Sequence, residues 1–202
     1  MSSTLGLCPQ NCSCDSEYEL SVNCNNVRLR YLPPLLHPGT QSLKLSKCQI
    51  EQLELDIMEL YPDIMHLDLS SNNISMLGNS VFQYQSKTLL LNLSNNDFPT
   101  ISRNSFHGLR RLQYLDLSSG RLQMIATNAF EHLTELLEFD LSYNVLQNLS
   151  FATFNGLTNL QKLRVAGNQI TYLDGSIARA LPNLRAIDLS HNMLTMVCMD
   201  LL

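Results

Sequence analysis

No stretch of this chain is apolar for the ~20 residues that a membrane-spanning helix needs. Its 202 residues carry 13 basic against 18 acidic side chains, a net charge of −5, and no basic stripe suited to nucleic acid. The eight glycines build no phosphate-cradling loop. The histidines (His37, His66, His107, His132, His191) are scattered with no serine or cysteine partner at a useful position. The sequence shows no carboxylate pair with catalytic geometry. These absences argue against an enzyme and leave no cofactor or metal to name. Met1–Leu7 is too short for a secretory leader and lacks a basic start and an apolar run. The expectation is therefore a mature or recombinant fragment in which Met1 need not be native.

What the chain does have is a period. Seven segments, 24 residues apart, are centred on Cys48, Asn72, Asn96, Gly120, Asn144, Asn168 and Asn192. Three residues before each centre stand Leu45, Leu69, Leu93, Leu117, Leu141, Val165 and Leu189. Five before stand Leu43, Leu67, Leu91, Leu115, Phe139, Leu163 and Ile187, and two after stand Ile50, Ile74, Phe98, Leu122, Leu146, Ile170 and Leu194. This LxxLxLxxNxL pattern resembles the leucine-rich repeat family over residues 41–202. The resemblance implies an α/β solenoid, or horseshoe, with a parallel β-sheet on its concave face and a convex side that is mostly irregular or short-helical.

The period has a physical cause. Ordering a repeat costs ~1–2 kcal/mol per residue, whereas each buried apolar side chain returns roughly 1.5–3 kcal/mol. One repeat cannot fold alone, but stacked repeats bury each other's faces. In each LxL the leucines point inward and the residue between them outward, which is strand periodicity. The amide at each centre has two donors and an acceptor for backbone groups of the neighbouring repeat that water cannot reach. Ten residues after each centre run Met58, Phe82, Phe106, Phe130 and Phe154, read as a stacked core column rather than a cofactor box. At Ala178 the column fails, and Ile177 is expected to substitute. Gln85, Ser86, Lys87 and Thr88 interrupt the apolar pattern and predict a looser convex turn. Gly120 removes one amide from the ladder, so Gly120→Asn is expected to stabilise by ~0.5–1.5 kcal/mol if its hydrogen bonds are recovered.

Before the repeats, Cys8, Cys12, Cys14 and Cys24 form C-P-x2-C-x-C-x9-C. Four cysteines allow three connectivities, and C-x-C is a poor spacing for chelating zinc. The run resembles the cysteine-rich N-terminal cap of extracellular leucine-rich repeat proteins, which implies the pairs Cys8–Cys14 and Cys12–Cys24. On this reading 1–38 is a stapled cap, which a solenoid needs to cover its bare edge, and 39–202 holds seven repeats. Leu202 falls inside the seventh repeat. The expectation is that further repeats and a C-terminal cap, with or without a membrane anchor, follow in a longer protein. The second reading is a natural short form that hides this edge in a homodimer. Cys48 is expected to be buried, reduced and structural. Cys198, six repeats away, is too distant for a disulfide with it, and is either a core residue or the partner of a missing cysteine.

Disulfides belong to oxidising compartments, which points to an extracellular location. The glycosylation sequons at Asn11, Asn73, Asn92 and Asn148 agree with it. On the strands an outward column reads Lys44, Asp68, Asn92, Asp116, Asp140, Arg164, Asp188. Its carboxylates suit a basic partner or calcium, with Asp116 and Asp140 in the candidate ligand-binding set, or they simply solvate the strand face. Entering the strands are Met65, Leu89, Leu90, Tyr114 and Leu137, with Tyr143 at a strand exit. They are expected to form an apolar patch along one edge of the concave sheet, and such patches mark interaction sites. The alternative is that Leu89 and Leu90 fill a gap left by Gln85 and Thr88. A glycan on Asn92 would sit beside the patch.

The cap and the 24-residue repeats together resemble ectodomains of Slit-type guidance factors, neuronal adhesion receptors and Toll-like receptors. That resemblance implies a recognition module of a cell-surface receptor or adhesion protein, with a protein ligand or co-receptor as partner. It implies no nucleic acid and no membrane contact by this segment. The small leucine-rich proteoglycans of matrix share the cysteine spacing and supply the alternative, a structural or matrix-binding role. Their repeats mix lengths, whereas these hold 24.

Overall fold

In each repeat a three-residue strand forms, centred on the first apolar residue of the LxL segment, because alternating burial matches the two-residue pleat. The computed structural model describes residues 7–15, 20–173 and 175–197; Cys198 and Leu202 lie outside the described residues. Two strands precede the repeats, β1 (Ser13–Asp15) and β2 (Ser21–Asn23). The first two repeats contribute β3 (Ser42–Lys44) and β4 (His66–Asp68). Each later repeat contributes two strands. These are β5 (Leu90–Asn92) and β6 (Thr100–Ile101), then β7 (Tyr114–Asp116) and β8 (Met124–Ile125). Next come β9 (Glu138–Asp140) and β10 (Asn148–Leu149), β11 (Lys162–Arg164) and β12 (Tyr172–Leu173), and β13 (Ala186–Asp188) and β14 (Met196–Val197).

The first strand of every repeat joins one concave sheet, in the order β1-β2-β3-β4-β5-β7-β9-β11-β13. Pairing is parallel throughout except between β1 and β2. Its register is the sequence period itself, Ser42↔His66↔Leu90↔Tyr114↔Glu138↔Lys162↔Ala186. The second strands form two small parallel sheets on the flank, β6-β8 and β10-β12-β14. The convex side is short-helical, with α1 (Leu55–Met58), a 3-10 turn at Phe151–Thr153 and α2 (Ile177–Ala180) among turns.

Every repeat leaves its strand through a left-handed residue just before the centre. Lys47, Ser71, Asn95, Ser119, Tyr143, Gly167 and His191 all have φ between 54° and 66°. This sharp corner swings the centre's amide under the strands. Asn72 donates through Nδ2 to the carbonyls of Leu45 at 2.8 Å and Leu69 at 2.9 Å, and its Oδ1 accepts from Cys48 and Ile50, both at 3.0 Å. Asn96, Asn144, Asn168 and Asn192 repeat this bridge to the preceding repeat. The centres at 72, 96, 144 and 168 are buried.

The aromatic column is also in place. Phe82 and Phe106 stack with centroids 6.2 Å apart, and Phe106 meets Phe130 at 5.6 Å. Where the column fails, Ile177 is fully buried in place of Ala178. The turn at 85–88 is not the looser one expected. Gln85 and Thr88 are completely buried. Gln85 Nε2 donates to the carbonyls of Met58 and Tyr61, and Thr88 Oγ1 donates to that of Ile64 at 2.7 Å. The two apolar contacts are replaced by hydrogen bonds to the preceding repeat, which sequence pattern alone does not reveal because the partners are main-chain carbonyls. Only Gln85 Oε1, among buried side-chain atoms of the described residues, lacks a partner.

At the N-terminal end the disulfides are Cys8–Cys14 and Cys12–Cys24. Cys12–Cys24 ties the start of β1 to the end of β2, Cys8–Cys14 ties β1 to the segment before it, and β2 continues the sheet over the edge of β3. Tyr61 fastens the cap to the repeats from within. Its buried hydroxyl donates to the Pro33 carbonyl and accepts from the Leu36 N–H. Burial pushes its ionisation above the ordinary phenol value. Cys48 is buried and reduced, and its thiol donates to the Cys24 carbonyl at 3.1 Å. Burial pushes this thiol's pKa up as well.

Gly120 leaves the Phe98 N–H without the amide acceptor that Ile50, Ile74, Leu122, Leu146 and Ile170 enjoy. A Cβ at Gly120 would meet Asn144 Oδ1 at 2.9 Å and the Asn96 carbonyl at 3.1 Å. An added side chain must therefore push both aside, which offsets the gain anticipated for Gly120→Asn. Gly120→Ala, which adds the clash without the amide, is expected to lower the melting temperature. Gly120→Asn should recover about 1 kcal/mol relative to Ala, ending near the unmodified chain. Urea titrations of the three proteins check this; an alanine variant as stable as the asparagine variant overturns it.

Candidate recognition face

In β4, β5, β7, β9 and β11 the first and third residues of the triplet face the concave side, exposed or half-buried, and the second is buried, whereas Ser42, the first residue of β3, is buried. The first-residue column runs Ser42, His66, Leu90, Tyr114, Glu138, Lys162, Ala186. Leu90 and Tyr114 are direct register partners, 37% and 43% exposed, where a polar column is otherwise the rule. Leu90 is the ridge between two depressions. One, of about 190 Å³, extends past Tyr114 to Glu138, Asp140 and Arg164. The other, of about 320 Å³, extends to Lys44, His66 and Asp68.

The remaining apolar residues singled out from sequence take different places. Met65 and Leu89 stand one residue ahead of their strands and are half-buried, as is Leu137. Gln113 occupies the same position between Leu89 and Leu137, so that row is interrupted. Met65 and Leu89 are held by backbone bonds to the preceding repeat, Met65 to the Gln41 carbonyl and Leu89 to that of Met65. Tyr143 is not part of this edge. It follows β9, on the far side of the strand from Glu138, and is 61% exposed. Its ring lies over the next corner, Gly167, where an added Cβ would sit 2.5 Å from the ring.

The carboxylate column is put to structural use. Asp68, Asp116, Asp140 and Asp188 each accept the N–H of the serine two residues on, at 2.8–3.0 Å. Hydrogen bonds from Ser190 hold the Asp188 carboxyl below the usual range, with His191 and Arg164 adding to the effect. Asn92 plays the same role with both the N–H and the hydroxyl of Ser94. Lys162 and Arg164 sit on Glu138, at 3.1 and 3.5 Å, and Arg164 also reaches Asp140 at 3.8 Å. Such part-exposed pairs contribute little to stability, but they neutralise the acidic side chains at that end. Among the described residues Asp68 and Asp116 have no cationic partner. Arg164, already in the outward column read from sequence, borders the face together with His66, Glu138 and Lys162, which the sequence pattern does not single out as binding residues. The signal was available: they occupy the first or third strand position that Tyr114 and Asp116 also occupy.

Nothing in this arrangement resembles a reaction centre. It is a broad, rigid, part-apolar and part-charged face on a repeat scaffold, the architecture of a protein-interaction module. Residues 62–122 and 110–170 match the family described as Leucine rich repeat, and 158–197 match Leucine Rich repeats (2 copies). The chain belongs to the leucine-rich repeat family, whose members are typically non-enzymatic protein-binding modules. No curated protein matches it. Among the described residues no helix is long and apolar enough to cross a membrane.

The Tyr143–Gly167 contact gives a sharp test of the corner geometry. Gly167→Ala is expected to cost about 1–2 kcal/mol for the left-handed backbone alone, and more while the ring is present. In a double-mutant cycle with Tyr143→Ala, part of the loss should return. Strict additivity of the two changes in urea unfolding would show that ring and corner are not coupled.

Proposed function

We propose that this chain is an extracellular recognition module, part of the ectodomain of a cell-surface receptor or adhesion protein, that binds a protein ligand on its concave face. The observation that carries this reading is the Leu90–Tyr114 pair, two exposed apolar side chains set side by side on a rigid sheet between two depressions. A tyrosine beside an aliphatic neighbour is the composition of an interface anchor. Met65, Leu89 and Leu137, half-buried one residue ahead of their strands, border this face. Asp116, which has no cation, faces a basic ligand side chain, whereas Asp140 is occupied by Arg164.

The two disulfides support an oxidising compartment. Of the four sequons, Asn11, Asn73 and Asn148 are exposed. Asn92 is half-buried, with its carbonyl oxygen engaged by Ser94. This reading requires Asn92 to stay unmodified, so that the ligand face remains open.

An extracellular-protein interaction panel, run with the unmodified chain and with Leu90→Ser/Tyr114→Ser, tests the proposal. The expected result is a protein ligand whose affinity falls by about 30-fold or more in the double variant, the hot-spot range. Unchanged affinity would refute the placement, and binding to collagen or glycosaminoglycan instead would move the chain to the matrix class.

A further inference from the structure

Moving one strand along the concave sheet carries each position onto its equivalent in the next repeat. A contact made in one repeat therefore shows what the same place in its neighbour can hold. Between repeats five and six that place is filled. Arg164, the last residue of β11, reaches back one strand and sets its guanidinium on two carboxylates of β9, Glu138 Oε2 at 3.5 Å and Asp140 Oδ2 at 3.8 Å. The other oxygen of Asp140, Oδ1, accepts the Ser142 N–H at 2.8 Å. One repeat earlier the carboxylate is arranged alike and the cation is missing. Asp116 Oδ1 accepts the Ser118 N–H at 2.9 Å, and among the described residues no cation meets its Oδ2. The residue in Arg164's place on the next strand is Asp140, the register partner of Asp116. Like charges set side by side on one sheet face repel.

We infer that the place over Tyr114 and Asp116 takes an arginine side chain of the ligand, held as Arg164 is held one repeat further on. The inference rests on the concave face being the ligand face. Asp116 is half-buried, so its charge is screened less than a fully exposed one. Where repeat five offers Glu138, repeat four offers Tyr114, and a guanidinium stacks on an aromatic ring as readily as it pairs with a carboxylate. Leu90, the register partner of Tyr114, gives the methylenes of the side chain an apolar bed. The depression of about 190 Å³ joins these residues and ends on Arg164. It is smaller than the ~300–1,000 Å³ of a small-molecule pocket, which suits one inserted side chain rather than a free compound. Lysine matches less well, because its compact, strongly hydrated ammonium neither stacks on Tyr114 nor forks between Asp116 and Asp140. Asp68, the other carboxylate without a paired cation, has Lys44 as its register partner, which weakens the field there. The net charge of −5 draws a basic ligand toward the protein as a whole.

The probes are Nα-acetyl-L-arginine methylamide and its citrulline counterpart, which keeps the shape and lacks the charge. Each is titrated at constant ionic strength into the isotopically labelled chain and followed by NMR. The arginine probe is expected to shift the resonances of Tyr114 and Asp116 with a Kd of about 10 mM, and the citrulline probe to bind at least about tenfold more weakly. Asp116→Asn should cost a similar factor while keeping the Ser118 turn, since Asn92 caps Ser94 in the same way. Asp188→Asn removes an equal charge from the same column three strands away, roughly 14 Å. That exceeds the Debye length, so it should leave the Kd within about twofold. No saturable shift up to about 50 mM, equal shifts from both probes, or an affinity untouched by Asp116→Asn overturns the inference. Protein binding is read separately. A protein ligand lost in Leu90→Ser/Tyr114→Ser, with no arginine binding, overturns the arginine place and leaves the recognition face standing. A probe that binds as expected while that double variant keeps full affinity for its protein ligand overturns the assignment of this arginine to the ligand.

Discussion

The buried asparagine amide is the interaction on which the other features rest. A three-residue strand makes too few bonds to hold itself, and the corner that ends it turns carbonyls and N–H groups into an interior without water. One side chain with two donors and an acceptor satisfies its own turn and the preceding one together. The repeats are thereby linked in series: Asn72 holds Leu45 and Leu69, Asn96 holds Leu69 and Leu93. Shared carbonyls such as that of Leu69 fix the spacing between turns. At Gly120 the ladder loses a rung, and Asn144 Oδ1 and the Asn96 carbonyl border the position that a side chain would take. At the first centre Cys48 bonds to the carbonyl of Cys24, so the ladder ends on the disulfide-held cap.

Because this interior ladder and the leucine rows carry the fold, the outward positions are released from structural duty to differing degrees. Third-position Asp and Asn side chains still cap the serine turns, so their spacing reflects the corner as much as any ligand. First-position residues have no such task. It is there that Leu90 and Tyr114 break the polar rule.

Much of this architecture was legible in the residue pattern, for definite reasons. Period, strand alternation and the Phe column depend on burial, and burial follows the apolar character of each position. The cap pairing followed from a resemblance, since spacing alone left three connectivities. The turn at Gln85 and Thr88 departs from what the pattern predicts, because a polar residue in a core row looks like a lost contact. In three dimensions it finds the carbonyls of Met58, Tyr61 and Ile64. Tyr143 was grouped with the concave apolar residues, yet a left-handed corner directs it over Gly167 instead.

The sequence by itself determined the number of turns, their register and the identity of the buried rows, because a strict 24-residue period admits one stacking. It also determined that no large single-sign charge or membrane-length segment would be present among its residues. Only the tertiary structure decided which outward residues become neighbours. Leu90 and Tyr114 are 24 residues apart in the chain and adjacent in the sheet, while Leu89 and Leu90 are adjacent in the chain and differ in exposure. Surface neighbourhoods arise between repeats, from where each corner leaves its strand, and that direction is set by backbone geometry rather than by side-chain hydropathy.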